Sequence, residues 1–299
     1  MNSAYSQQSN NITRTWILLT LFIGLISALF YGLAYYFNSP ILIFVGIALS
    51  LGQALIAYFA GGSLAVAQAG GKEVTYEQSP QIHEMVENLA RIAGIPKPKI
   101  YISPDQSANA FACGRDPEHA NICINQGLLN ILDKNQLEGV LAHELSHVKN
   151  RDILVSTITM VLAGVISFVA DFGFRSMAFG GFGGGSKDED SNNKSPIFFV
   201  LYIIVLILAP ILSTLITLAV SRQREFLADA SGVVLTRYPE GLIGALEKLY
   251  SSPIPTEHFS TATSHFYIAP PKQNFGENIQ GLFSTHPSVE ARVEALRKM

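Results

Sequence analysis

Charged residues are scarce in this chain. Asp, Glu, Lys and Arg together make up 14% of its 299 residues, well below the roughly 25% that is usual in soluble globular domains. Hydrophobic residues make up 48%. The composition therefore indicates a protein that contacts lipid rather than a fully soluble one.

A basic surface is also lacking. Lys and Arg number 20 against 23 Asp and Glu, which gives a formal net charge of −3 at pH 7. Because a nucleic-acid partner requires a positively charged surface, we expect no nucleic-acid binding.

Cysteine is almost absent, with only Cys113 and Cys123 in the chain. Two thiols in a chain of this length do not make a disulfide framework, and no metal-binding pattern joins them. We expect two buried or inert thiols in a reducing compartment.

Ionisable residues are missing from four apolar stretches, each near or above the roughly 20 residues with which a helix crosses a bilayer. The first two are separated only by Asn38-Ser39-Pro40 and predict a transmembrane hairpin, whose second helix ends near Gly61. A buried core helix is the alternative for each stretch. A transporter or channel would carry ionisable residues within such spans, so their absence here argues against that function. The stretches are 15–37, 41–69, 153–170 and 195–220.

These stretches divide the chain into membrane and soluble segments. A polar tail, 1–14, and the hairpin, 15–69, precede the first soluble segment, 70–152. A membrane pair with a glycine-rich linker, 153–220, precedes the second soluble segment, 221–299. Mixed strand and helix patterns in the soluble segments predict an α+β, mainly helical fold with four transmembrane helices.

Several elements of the first soluble segment are predicted from local patterns. Lys99–Ser103 and Ala120–Asn125 alternate as strands do, and Ala108–Cys113 is a candidate third strand. One helix begins at Ser79-Pro80, because Ser is a good N-cap and Pro fits the first turn. Another helix covers Gln136–Lys149.

Basic residues flank the apolar stretches unevenly. Since cytoplasmic flanks carry the excess of Lys and Arg, the N-terminus and both soluble segments are predicted to be cytoplasmic. The basic residues on this side are Arg14, Lys149, Arg151, Arg222 and Arg224, and those on the other side are Arg175 and Lys194.

The sequence His143-Glu144-Leu145-Ser146-His147 lies within the predicted helix. Histidines four residues apart project from one helix face, one turn apart, which is the spacing of two imidazoles that share a zinc ion. Glu144 points to the side, where it can reach the attacking water and act as general base. A polar helix face with incidental histidines is the alternative.

A catalytic zinc ion uses three protein ligands, and Glu225 is the best candidate for the third. Asp229, one helical turn later, can accept the remaining N–H of a ligand histidine. A solvated acidic helix face has the same spacing. Glu225 can meet His143 and His147 only if the chain crosses the membrane an even number of times between them, and the two intervening apolar stretches satisfy this condition.

The metal motif, the long apolar insertion and the segment 221–229 together resemble the M48 peptidases. The resemblance extends over nearly the whole chain, and patches at 107–112 and 285–288 support it. It implies a gluzincin-like zinc protease domain with one Zn²⁺ per chain. The implied ligands are His143, His147 and Glu225, with Glu144 as the catalytic residue.

The resemblance also implies residues that contact substrate or shape the site. Asn109 and Ala110 would lie in an edge strand that pairs with the substrate backbone. His286 and Arg292 would shape the site. For Asn109 a turn or strand-end residue is the alternative, and for His286 a residue at the start of the helix that follows Pro287.

The implied activity is that of a multi-pass endopeptidase of the bacterial inner membrane, active in stress and quality control. Its partners would be the lipid bilayer and damaged or misassembled membrane proteins and unfolded polypeptides, which it would cut on the cytoplasmic side. Two alternatives remain: an inactive metal-binding membrane scaffold, and a zinc hydrolase with a non-protein substrate. Ligand type favours zinc, although cobalt and manganese fit such a site.

Overall fold

The structure is a computed structural model that describes residues 4–164, 222–251, 268 and 287–299. Several predicted features therefore lie outside the described residues. These are the end of the third apolar stretch, the glycine-rich linker, the fourth apolar stretch and His286.

Two long helices, α1 (Ala4–Tyr36) and α2 (Ile41–Gln68), form a hairpin. Both are long and apolar enough to cross a membrane. The turn between them contains Asn38 with a φ of 49°, a left-handed conformation that Asn tolerates better than most residues. α1 begins at Ala4, so the polar residues before position 15 continue the first helix.

Aromatic side chains lie at both ends of the hairpin. Trp16 stacks on Tyr58 with ring centroids 6.4 Å apart, and Tyr36 meets Phe37 edge to face at 5.0 Å. Trp and Tyr favour the two interfaces of a bilayer. From Trp16 to Tyr36 a helix rises about 30 Å, which is close to the thickness of the hydrocarbon core.

A four-stranded sheet follows the hairpin in the chain. Its strands are β1 (Lys72–Glu73), β2 (Lys99–Ser103), β3 (Ala110–Gly114) and β4 (Ala120–Asn125), in the order β1-β2-β4-β3. The two central strands are parallel, and each outer strand pairs antiparallel with its neighbour. β3 is therefore an edge strand, and it begins two positions after the start predicted at Ala108.

The two faces of the sheet contribute to different cores. Ala112 and Ile122 pack with the helices of the soluble segments, whereas Phe111, Cys113 and Cys123 pack against the hairpin. Successive strand residues point to opposite faces, and here both faces are covered. Consequently all residues of β3 are buried. Both cysteines are buried, as predicted.

The first soluble segment also contains the helices α3 (Pro80–Ala93), α4 (Gln126–Ile131) and α5 (Lys134–Lys149). As predicted, α3 begins directly after Ser79. It ends before Gly94, its C-cap, whose φ of 73° is the left-handed conformation that favours glycine. α3 packs against α5, which lies on the face of the sheet away from the hairpin.

The described part of the third apolar stretch is α6 (Asp152–Gly164), a short apolar helix. Leu154, Ile158 and Leu162 belong to the same buried cluster as Leu18 and Ala57 of the hairpin. Within the described ranges, two helices meet the length and composition of a membrane span. The four-helix membrane arrangement stays a prediction.

The second soluble segment contributes α7 (Arg222–Thr236), α8 (Pro239–Ser251) and α9 (Val289–Leu296). α7 and α8 pack on α5, and α9 packs on both α7 and α8. The fold is thus mainly helical α+β, as predicted. α5 lies at its centre, between the sheet and the helices of the second segment.

Candidate metal centre

Helix α5 carries both motif histidines through the interior of the protein. It starts with a capping box, in which Asp133 Oδ1 accepts from Gln136 N at 3.0 Å and Gln136 Oε1 accepts from Asp133 N at 3.1 Å. Further along, His143 is 1% exposed and Glu144 is 4% exposed. Polar groups buried to this degree require partners.

His143, His147 and Glu225 converge on one point. The Nε2 atoms of the two histidines are 3.2 Å apart. Glu225 Oε2 is 3.8 Å from Nε2 of His143, and Oε1 is 3.7 Å from Nε2 of His147. Ligand atoms about 2.0–2.1 Å from a tetrahedral zinc ion lie roughly 3.3 Å from each other. The three side chains therefore fit a metal ion.

Glycine permits the close approach of α7 to α5. A Cβ atom on Gly232 would lie 3.1 Å from the backbone nitrogen of His143. Glu225 precedes Gly232 by about two helical turns, so both residues lie on the face of α7 that meets α5. The small residue thus helps to bring Glu225 to the histidines.

Asp229 and Arg292 support His143. Asp229 Oδ1 lies 2.9 Å from Nδ1 of His143, so a proton on Nδ1 leaves the Nε2 lone pair facing the metal cluster. Arg292 holds Asp229 with hydrogen bonds of 2.8 and 2.6 Å. Burial would raise the pKa of Asp229, but the Arg292 charge and hydrogen bonds and the contact with His143 hold it below its usual value.

A second carboxylate, Asp152, supports His147, and the sequence analysis missed it. Asp152 Oδ2 is 3.0 Å from Nδ1 of His147. The chain reverses at Arg151, whose φ is 59°, and this turn returns Asp152 to the helix that the chain has just left. The available signal was an acidic residue five positions after the second motif histidine.

Glu144 faces the edge strand. Its Oε2 accepts a hydrogen bond of 2.9 Å from the backbone N–H of Ala112. Burial raises the pKa of Glu144 to about 8, although the charge of His147 and the Ala112 hydrogen bond act in the opposite direction. A carboxyl group with a pKa near neutrality is suited to accepting and returning a proton.

The two histidines have opposite pKa shifts. Burial lowers the pKa of His143 by more than its contact with Asp229 raises it. Burial also acts to lower the pKa of His147, but the Asp152 hydrogen bond and the charges of Glu225, Asp152 and Glu144 raise it to about 9. The difference arises because carboxylates surround His147, whereas His143 has the charges of His147 and Arg292 beside it, which lower its pKa further.

The profile of Peptidase family M48 matches residues 76–299 of this chain. The chain belongs to peptidase family M48. It is a metallopeptidase, and the resemblance inferred from the motifs is confirmed.

Relatives of this M48 peptidase include the Protease HtpX homologs of Streptococcus gordonii and Lactobacillus acidophilus. The former is 39% identical over 297 residues and the latter 42% identical over 301 residues, with 99% of each chain covered in both cases. The crystal structure of S. mikatae Ste24p has a similar fold, with a TM-score of 0.50 at 18% identity, covering 98% of this chain and 67% of that one.

In this M48 peptidase Asn109 and Ala110, assigned to substrate contact, lie at the start of β3, whereas Arg292, assigned to shaping the site, lies in α9. Asn109 precedes β3, and its carbonyl accepts a hydrogen bond of 2.9 Å from Asn125 N in β4. Since the backbone groups of successive strand residues point to alternate edges, those of Ala110 face the outer edge of the sheet, where the described strands add no further neighbour. The Asn109 side chain accepts a hydrogen bond of 3.2 Å from Ile268 N. Arg292 contacts Asp229 and Ile268 rather than the edge strand.

Proposed function

We propose that this M48 peptidase is an integral membrane zinc endopeptidase in which Glu144 transfers the proton. The observation that carries the proposal is the meeting of donor atoms from His143, His147 and Glu225 within 4.8 Å of one another. A buried carboxyl group and an edge strand adjoin them.

The donor set of two imidazoles and one carboxylate is typical of catalytic zinc sites and leaves a coordination position open. A bound zinc ion would polarise the scissile carbonyl and lower the pKa of water. His143 and His147 each have a carboxylate behind them, Asp229 and Asp152. These carboxylates hold both rings with Nε2 directed at the cluster.

Glu144 would take a proton from the attacking water and return it to the leaving amine nitrogen. Its hydrogen bond from Ala112 N fixes one carboxylate oxygen, so the other oxygen would accept the proton. Proton transfer by a positioned group of this kind typically contributes about 10²–10⁴-fold to the rate.

The outer edge of β3 would bind substrate as an added strand. Ala110 offers backbone groups there, and Asn109 Nδ2 is buried without a hydrogen-bond partner among the described residues. At the far end of β3, the N–H of Gly114 donates to Thr157 Oγ1 in α6 at 3.0 Å. We therefore place the paired substrate segment between Asn109 and Ala112, beside Glu144.

Membrane proteins, including damaged or misassembled ones, are the proposed substrates. The support is the contact between the hairpin and β3, since a Cβ atom on Gly62 of α2 would lie 3.1 Å from Gly114 Cα. The substrate edge is thus held directly against a membrane helix. The excess of basic residues beside the apolar stretches supports a position of the protease domain on the cytoplasmic side of the bacterial inner membrane. Arg224 is not counted in this excess, because it is buried and lies beside Asp152.

The test compares the wild type with Glu144→Gln and with Glu138→Gln, a change at a partly exposed position of the same helix. Bound metal and cleavage of casein are measured in detergent. We expect about one zinc per chain in all three proteins, and cleavage by the wild type and Glu138→Gln only. Equal cleavage by Glu144→Gln would refute the assigned base. Zinc without cleavage in the wild type would favour a scaffold or a hydrolase of non-protein substrates.

A further inference from the structure

The first membrane helix reaches the metal centre through Asn11. This residue is 1% exposed. Its Nδ2 lies 2.6 Å from Asp152 Oδ1 and 3.1 Å from the backbone oxygen of Asn150. A primary amide has two N–H groups, and each finds an acceptor here.

Asp152 is shared among three partners. Oδ1 accepts the hydrogen bond from Asn11, and Oδ2 faces Nδ1 of His147 at 3.0 Å. The guanidinium of Arg224 lies 3.7 Å from Oδ1. Asp152 is 4% exposed, so water cannot readily replace a lost partner. The orientation of the carboxylate is therefore set by the side chains around it.

We infer that Asn11 is a positioning residue of the metal centre. By holding Asp152, it fixes the ring orientation and the tautomer of His147, and this makes α1 a part of the site as well as a membrane anchor. The inference rests on the proposed function, because it takes His147 as a metal ligand.

The position of Asn11 is itself fixed from within α1. Thr15 Oγ1, one turn later, donates to the Asn11 carbonyl at 3.0 Å, and Thr15 is buried as well. The next leucines on this face, Leu18 and Leu19, pack in the same cluster as Leu154 of α6. Packing of α1 on α6 thus holds the Asn11 amide opposite Asp152.

The test uses the full-length protein in detergent, with Asn11→Ala compared with Thr13→Ala, a change at an exposed position of the same helix. Zinc affinity is measured by competition with a chromophoric chelator, and ligand geometry by the visible absorption of the cobalt-substituted protein. Loss of such an outer contact typically lowers metal affinity about 10–100-fold. We expect a loss in this range and an altered cobalt spectrum for Asn11→Ala only. Wild-type affinity with a wild-type spectrum in Asn11→Ala overturns the inference.

A second measurement separates positioning from general destabilisation. If Asn11 acts through Asp152, then Asn11→Ala lowers zinc affinity no further in a protein that already carries Asp152→Ala. Independent losses that multiply in the double variant overturn the inference, because they mean that Asn11 acts by another route. If the wild type itself binds no zinc, the proposed function fails as well. If the wild type binds zinc and cleaves casein while Asn11→Ala matches it, only this inference fails.

Discussion

Glu144 and Ala112 are joined by a hydrogen bond of 2.9 Å from the backbone N–H of the strand residue to Oε2 of the carboxyl group. The bond links the middle of α5 to the edge strand β3. The group proposed to move the proton and the surface proposed to bind substrate therefore keep a fixed relation. A substrate strand laid on β3 would present its backbone to Glu144 at a defined register.

The buried pair between Arg292 and Asp229 should be essential for stability. Arg292→Leu leaves the Asp229 carboxylate buried without its cation, which typically costs about 3–5 kcal/mol. Denaturant unfolding in detergent measures the change. Arg297→Leu is the control, because its ion pair with Glu247 is exposed on both sides and should contribute less than about 1 kcal/mol. Equal losses would mean that the buried pair has no special role.

The close contact at Gly232 should limit the size of the side chain that α7 can accommodate at this position. In Gly232→Ala the added methyl group meets the backbone of His143, and such overpacking typically costs about 1–3 kcal/mol. We expect lower stability and weaker zinc binding, since Glu225 would move away with α7. Gly24→Ala, where nothing lies within 4 Å, should leave both unchanged. Normal zinc binding by Gly232→Ala would show that α7 can shift without loss of the site.

Zinc should stabilise the protein through Glu225. A ligand at about 100 times its dissociation constant adds roughly 2.7 kcal/mol to the folded state. We expect the thermal midpoint to fall on treatment with a chelator and to recover with zinc. Glu225→Ala should abolish this response, whereas Glu240→Ala, at an exposed position of α8, should retain it. A zinc-dependent shift that persists in Glu225→Ala would place the metal elsewhere.

Cys113 and Cys123 should be unreactive in the folded protein. Burial raises the pKa of both thiols, that of Cys123 to about 12, and the thiolate is the reactive form. At pH 8 iodoacetamide should therefore modify neither cysteine in the native protein and both after denaturation, as counted by mass spectrometry. Rapid labelling of the native protein would mean that the sheet separates from the hairpin in solution.

Local patterns were enough to predict α5 and its metal motif. The distance between His143 and His147 is set by one helical turn, so the sequence predicts that their rings share a face. The hairpin and the strand segments 99–103 and 120–125 follow in the same way from composition and alternation. The predicted start of β3 at Ala108 was two residues too early, although the Asn109 carbonyl already accepts a hydrogen bond from Asn125 N of β4.

The sequence by itself determined the hairpin of two apolar helices and the helix that carries the histidines, since each depends on residues close together in the chain. It also determined the family, since the motifs that identify it can be recognised without knowing how they meet in space. Only the tertiary structure added Asp152 and Arg292 to the contacts around the histidines. It also decided that Asp229 supports His143 and Asp152 supports His147. Asp152 meets Asn11 across 141 positions, and Arg292 meets Asp229 across 63. These contacts arise where separate helices pack in the interior, and a buried charge must find a partner among the residues that the fold brings together.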